Sequence, residues 1–175
     1  MRLRLCYNDA GNAIDCIGNV YKFPRGRRLC MVVRDGKTRV RFMAGLKGEG
    51  KTRKLIDLAN NEAKTTDGHL VFIDDDKRHM FDVHRDIRFV ETGKGLLSNH
   101  REFAGFILGI LSQNSDIQHI YVDGLNNIIE SVDIESLLKL QARLEGIAQV
   151  DDVLFTISVN WDKESLPEDI RSAFI

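Results

Sequence analysis

Apolar residues recur along this chain with two different periods. Val40-Arg-Phe-Met-Ala44 alternates and is rich in strand formers. His69-Leu-Val-Phe-Ile73, Ile117-Gln-His-Ile-Tyr-Val122 and Val153 to Val159 are short, nearly continuous apolar runs, the pattern of strands covered on both faces. Ile87-Arg-Phe-Val90 is a further short strand. Between these runs the spacing becomes helical. Lys51 to Ala63 places Leu55, Ile56, Leu58 and Ala59 on one face. Asn99 to Leu111 carries Phe103, Phe106, Ile107, Ile110 and Leu111, and Asp133 to Ala148 begins at an N-capping Asp133. Ser165-Leu-Pro-Glu168 has a capping-box pattern that opens a last short helix. Strands alternating with helices predict an α/β fold, a mostly parallel sheet in a three-layer α/β/α sandwich. Cys30 to Val33 and Thr38 to Met43 flank Asp35-Gly36, a hairpin signal. The first sheet strand is therefore expected to have an antiparallel neighbour just before it.

The 175 residues suffice for one domain with a sizeable core, and the net charge of −1 offers no whole-chain footprint for nucleic acid. No apolar run approaches membrane-spanning length and no hydrophobic signal segment opens the chain, so a cytoplasmic protein is expected. All three cysteines, Cys6, Cys16 and Cys30, lie in the first thirty residues. Their odd number without nearby His makes neither a zinc site nor a disulfide framework. This stretch is weakly periodic and unlike the rest, and Arg27-Arg28 precedes Met31. Residues 1–30 are read as an N-terminal extension, either a translated leader before a natural start at Met31 or a small extra arm. Residues 31–175 are read as the domain.

Chemistry enters at residues 45–52, Gly-Leu-Lys-Gly-Glu-Gly-Lys-Thr, which match the phosphate-binding loop pattern G-x-x-x-x-G-K-[ST] in its required setting between a strand and a helix. Gly45 and Gly50 let the backbone turn close to a phosphate, and backbone N–H groups and the helix start converge on the anion. The expected nucleotide contacts are Gly45, Leu46, Lys47, Gly48, Glu49, Gly50, Lys51, Thr52 and the adjoining Arg53. Lys51 can reach the β- and γ-phosphates, and the Thr52 hydroxyl can ligate Mg²⁺. Parallel sheets place ligands beyond the carboxyl ends of their strands. Asp123 ends one apolar strand there, in the Walker B form, and can help hold Mg²⁺. The plain alternative is a strand-to-turn Asp-Gly. Asp74-Asp75-Asp76 end another strand, where one acid could position or deprotonate water. Three adjacent acids repel one another, so burial of all three is not expected. Asn160 ends the last strand as a candidate sensor of the γ-phosphate. Trp161 beside it is read as packing, and the five scattered His residues are assigned no metal.

This order of parts resembles the RecA/KaiC-type branch of P-loop ATPases over about residues 38–161. Val71-Phe-Ile-Asp-Asp-Asp76 is similar to that family's Phe-Ile-Asp-Ala-Glu, with Asp76 on the catalytic Glu position; Ile120-Tyr-Val-Asp-Gly124 resembles the Walker B segment, and Phe155-Thr-Ile-Ser-Val-Asn160 the sensor strand. The resemblance implies ATP and Mg²⁺ as ligands, Lys51, Asp76 (or Asp75) and Asn160 in catalysis, and Thr52 and Asp123 at the metal. The chain departs from the family by carrying Asp for Glu at position 76 and Gly after Asp123. Slow Mg²⁺-dependent ATP hydrolysis is the first expectation. A nucleotide-dependent switch or partner-binding module that does not hydrolyse is the second, and a small-molecule kinase the third. A homo-oligomer or a protein partner stays open, and no feature indicates a membrane.

Overall fold

The structure is a computed structural model that describes residues 38–162 and the backbone of four short strands before them. Those strands, β1 (Arg4–Tyr7), β2 (Ala13–Cys16), β3 (Val20–Lys22) and β4 (Arg28–Cys30), form two antiparallel pairs, β1 with β2 and β3 with β4. The Asp35-Gly36 turn, the Met31 start and the Ser165-to-Glu168 helix lie outside the described residues.

The domain itself runs β5 (Val40–Gly45), α1 (Lys51–Glu62), β6 (His69–Asp74), β7 (Ile87–Glu91), α2 (His100–Leu111), β8 (Ile117–Val122), α3 (Leu125–Ile128), α4 (Ile134–Asp151) and β9 (Leu154–Asn160). Its five strands lie in the order β5-β9-β8-β6-β7, and every pairing is parallel. The expected antiparallel neighbour of β5, Cys30 to Val33, falls almost wholly outside the described residues. Among the described residues β5 pairs with β9 in parallel, from Val40 opposite Phe155 to Gly45 opposite Asn160, while Cys30 of β4 faces Val20 of β3.

The two faces of the sheet carry separate cores. On one, Met43, Leu70, Phe72 and Tyr121 pack against Leu55, Ile56 and Ala59 of α1. On the other, residues such as Phe42, Ile73, Ile120 and Ile157 meet Phe103 and Ile107 of α2 and Leu137 and Leu144 of α4. Helices on both faces make this a three-layer α/β/α arrangement, as the alternating pattern predicts. Leu58, expected on the buried face of α1, is 45% exposed. Trp161 is partly buried against the larger core, in keeping with a packing role. The caps follow their sequence signals. Asn99 accepts the Arg101 and Glu102 N–H groups at the start of α2, and Asp133 accepts the Ser136 N–H at the start of α4. Among the described residues no helix is long and apolar enough to cross a membrane.

Two buried polar arrangements fix the layers to each other. The Glu145 carboxylate on α4 is 1% exposed and accepts the N–H groups of Arg39 and Val40 at 3.0 Å each, tying α4 to the first residues of β5. Glu145→Ala leaves the buried Val40 N–H without this charged acceptor. It is expected to destabilise the fold by about 2–4 kcal/mol, with Glu145→Gln, which keeps one acceptor oxygen, closer to wild type. Urea midpoints for the two variants check the ranking.

Beneath α1, His119 Nδ1 lies 2.8 Å from Glu62 Oε2 and Nε2 lies 2.9 Å from Thr156 Oγ1. Tyr121 donates its hydroxyl to the same Glu62 oxygen, and its ring stacks on His119 with centroids 4.0 Å apart. The His119 hydrogen bond holds the Glu62 carboxyl below its ordinary range, whereas burial and then the Glu62 contact push the Tyr121 phenol up.

Candidate functional site

Strand alternation decides which side chains meet at the carboxyl edge of the sheet. On the α1 face, β6 presents Leu70, Phe72 and Asp74, β8 presents His119, Tyr121 and Asp123, and β9 presents Thr156, Ser158 and Asn160. The first members of each series pack under α1; the last converge where α1 begins. A cleft of about 830 Å³ opens at that point, lined by the glycine-rich loop, the start of α1 and the ends of β6, β8 and β9.

The loop is built for close approach. Gly50, at the N-cap of α1, has φ 78°, a left-handed conformation that disfavours any side chain. No side-chain cap and no acidic residue occupies the first turn of α1, so its leading N–H groups face the cleft uncapped. Glu49 folds back, its Oε2 accepting the Leu46 N–H at 2.9 Å. Lys51 donates its ammonium to the carbonyls of Gly45 and Leu46 at 2.7 and 2.8 Å, placing the charge at the mouth of the loop. Burial lowers the Lys51 pKa, opposed by the carboxylates of Glu49 and Asp123. Lys47, Gly48, Gly50, Lys51, Thr52 and Arg53 all line the cleft, while Leu46 is 54% exposed beside it. Arg53 also forms an ion pair with Asp57 at 3.6 Å, one turn along α1.

The other wall centres on Asp123, 6% exposed. Its Oδ2 accepts the Thr52 hydroxyl at 2.6 Å and its Oδ1 the Ser158 hydroxyl at 2.5 Å. The two residues expected at a metal, 71 positions apart in sequence, are therefore in direct contact. Gly124 has φ 64° and donates its N–H to Ser158 Oγ at 2.8 Å, with the Asn127 amide only 3.0 Å from where a Cβ would stand. A Glu after Asp123 would strain the backbone and crowd Asn127, which gives the departure at this position a local physical reason.

The three consecutive acids separate. Asp74 and Asp75 are 2% and 3% exposed and line the cleft. Burial, followed by the Asp123 charge, pushes the Asp74 carboxyl up to about 7. Asp75 accepts the Asn127 side-chain amide at 3.1 Å and lies 3.8 Å from the Lys94 ammonium. Asp76, expected to be catalytic, does not line the cleft. It binds the Arg78 N–H at 2.9 Å and the Arg78 guanidinium at 2.6 Å, and those bonds hold its carboxyl below the ordinary range. The sequence places the acid by counting; the strand ends at Asp74, and the turn that follows carries Asp76 away.

Asn160 lines the cleft, and its backbone N–H is held by Asn126 at 2.7 Å. Ser158, Asn126 and Asn127 join the site although sequence reasoning passed over them. The signal for Ser158 was available: Thr156, Ser158 and Asn160 are a period-2 polar stripe in an otherwise apolar strand. For Asn126 and Asn127 it was weak, since the one-turn helix α3 is too short to show a period.

Among the described residues no group of three or more His, Cys, Asp or Glu side chains is placed to hold a metal ion alone. Mg²⁺ does not require such a cage, since it is commonly held by one or two carboxylates, phosphate and water. The Thr52–Asp123 pair, with buried carboxyl oxygens beside it, has donors suited to that coordination. Compared with known proteins, the chain matches no family model and no curated protein sequence.

Proposed function

We propose that this cleft binds Mg²⁺–ATP in a P-loop NTPase domain of RecA/KaiC type, acting in the cytoplasm, and that it hydrolyses the nucleotide slowly. The observation that carries the reading is the 2.6 Å contact between Thr52, first turn of the helix after the glycine-rich loop, and Asp123, end of a distant apolar strand. A chance Gly/Lys loop has no reason to meet a buried carboxylate across the sheet.

In this reading the loop N–H groups and Lys51 bind the β- and γ-phosphates and stabilise charge on the transferred phosphoryl. Thr52 and Asp123 hold the metal, with Ser158 fixing the carboxylate. When bound, the metal neutralises phosphate charge. Asp75, inside the cleft and oriented by Asn127, takes the water-positioning role in place of Asp76. Asn160 contacts the γ-phosphate.

Turning Asp76 out of the cleft also favours a second reading, a nucleotide switch without turnover. Tight ATP binding with no phosphate release, with or without added protein partners, selects it.

A thermal-shift screen of ATP, GTP, CTP and UTP, each with and without Mg²⁺, tests the binding claim. At a hundredfold excess over Kd a ligand adds about 2.7 kcal/mol, which raises Tm by about 5–10 °C in a domain of this size. ATP with Mg²⁺ is expected to give the largest rise. No shift with any nucleotide sinks the proposal.

A further inference from the structure

The end of β6 carries an electrostatic demand that the glycine-rich loop does not meet. We propose that Asp74, together with Asp123 on the neighbouring strand, directly binds a small divalent cation of the Mg²⁺/Mn²⁺ class, and does so before any nucleotide arrives. The proposal extends the nucleotide reading by naming a second carboxylate for its ion.

Three observations carry it. The first is the distribution of hydrogen bonds. Both oxygens of Asp123 already accept hydroxyls, from Thr52 and Ser158. Asp74 Oδ1 accepts the Asp75 N–H at 2.7 Å, but Asp74 Oδ2, like Asp75 Oδ2, is fully buried and has no hydrogen-bond partner; the Asp75 oxygen has the Lys94 ammonium at 3.8 Å, whereas no ion pair among the described residues reaches Asp74. Buried carboxylate oxygens are rarely left so, because desolvation is costly unless a donor or a cation replaces the lost water.

The second is the local charge. Asp74, Asp75 and Asp123 are all at least 94% buried at one edge of the sheet. Facing them, Lys94 lies 3.8 Å from Asp75, and Lys51 spends its hydrogen bonds on loop carbonyls. Lys47, Arg53 and Arg78 also line the cleft, but Arg53 pairs with Asp57 and Arg78 with Asp76, and no ion pair among the described residues reaches Asp74.

The third is the donor chemistry. The candidate ligands, Asp74, Asp123 and the Thr52 and Ser158 hydroxyls, are all oxygens, and His79, which also lines the cleft, is engaged by Asp82. That selects a hard cation over zinc or copper. An ion held by Asp74 and Asp123 retains open positions for water and, later, phosphate oxygens. Asp74 then belongs to metal binding, and Asp75 is left to position water.

The test uses nucleotide-free, EDTA-treated full-length protein titrated with Mn²⁺ and followed by electron paramagnetic resonance. Wild type is expected to bind one Mn²⁺, displaced by Mg²⁺. Asp74→Asn is expected to weaken binding at least tenfold, whereas Asp76→Asn, the same charge change outside the cleft, stays within twofold. Circular dichroism and urea melts establish that both variants fold. The proposal is overturned if wild type binds no Mn²⁺, if Asp74→Asn binds as wild type, or if both variants weaken binding equally, which would mean diffuse attraction. ATP binding without metal, measured separately on the same proteins, reports on the nucleotide reading whichever way the ion result falls.

Discussion

Lys51→Ala is expected to slow phosphate release from Mg²⁺–ATP by two to three orders of magnitude while leaving the fold intact. The ammonium is partly desolvated at the loop mouth, where its hydrogen bonds go to the Gly45 and Leu46 carbonyls. A phosphate entering the loop would compete with those carbonyls for the ammonium. A fixed charge in a water-poor site stabilises developing negative charge far more than the same charge in bulk water, and removing one such donor typically costs about 10²–10³ in kcat. Because the Lys51 ammonium hydrogen-bonds only the Gly45 and Leu46 carbonyls, the loss should appear in nucleotide kinetics more than in the urea midpoint. Phosphate release and ATP affinity of wild type and variant, measured side by side, check this. Equal values for both quantities would remove Lys51, and with it the catalytic reading, from the site.

The second large effect concerns pH. The Asp74 carboxyl is pushed up to about 7 in the folded protein by burial and by Asp123, against about 3.9 in an unfolded chain. Between those values the folded state holds a proton that the unfolded state has released. Stability contributed at this residue therefore falls as pH rises from about 4 to about 7 and stays low above that. The full difference is on the order of 2–4 kcal/mol. Asp74→Asn, which cannot ionise, is expected to be the more stable protein at pH 8 in metal-free buffer. The gap should close towards pH 4. Urea midpoints from pH 4 to 8.5 in EDTA, read as the difference between the two proteins, isolate this residue from the other carboxylates. Parallel curves would show that Asp74 does not titrate anomalously. If the cation inference holds, Mg²⁺ should raise the wild-type midpoint at pH 8 and leave the variant unchanged.

Most of this architecture was legible in the sequence because it rests on local periods. The apolar runs at 69–73, 117–122 and 153–159 became β6, β8 and β9, and the α1, α2 and α4 patterns became helices with no end shifted by more than three residues. Sheet order was not legible. Nothing in Val153 to Val159 says that this last strand inserts between β5 and β8, yet that insertion brings Ser158 and Asn160 to the loop. At the site, the loop, Thr52 and Asp123 could be read from residue types and spacing. The choice among Asp74, Asp75 and Asp76 could not, because it depends on where the chain leaves the sheet. That turn sends one carboxylate to Arg78 and two into the cleft.

Helix α1 is fastened to β8 at both ends. Thr52 in its first turn holds Asp123, and Glu62 in its last turn holds His119 and Tyr121. A rod bolted twice to one strand cannot slide along its axis like a piston or roll about it without breaking a buried polar contact. The same helix carries Asn60, whose side chain donates to the Asp82 carbonyl and accepts the His84 N–H, clasping the segment between β6 and β7. That segment begins just after Asp74 and Asp75 and displays Phe81, 89% exposed, to solvent. The cleft carboxylates and that exposed loop are thus joined by a few residues of chain clasped to the same helix.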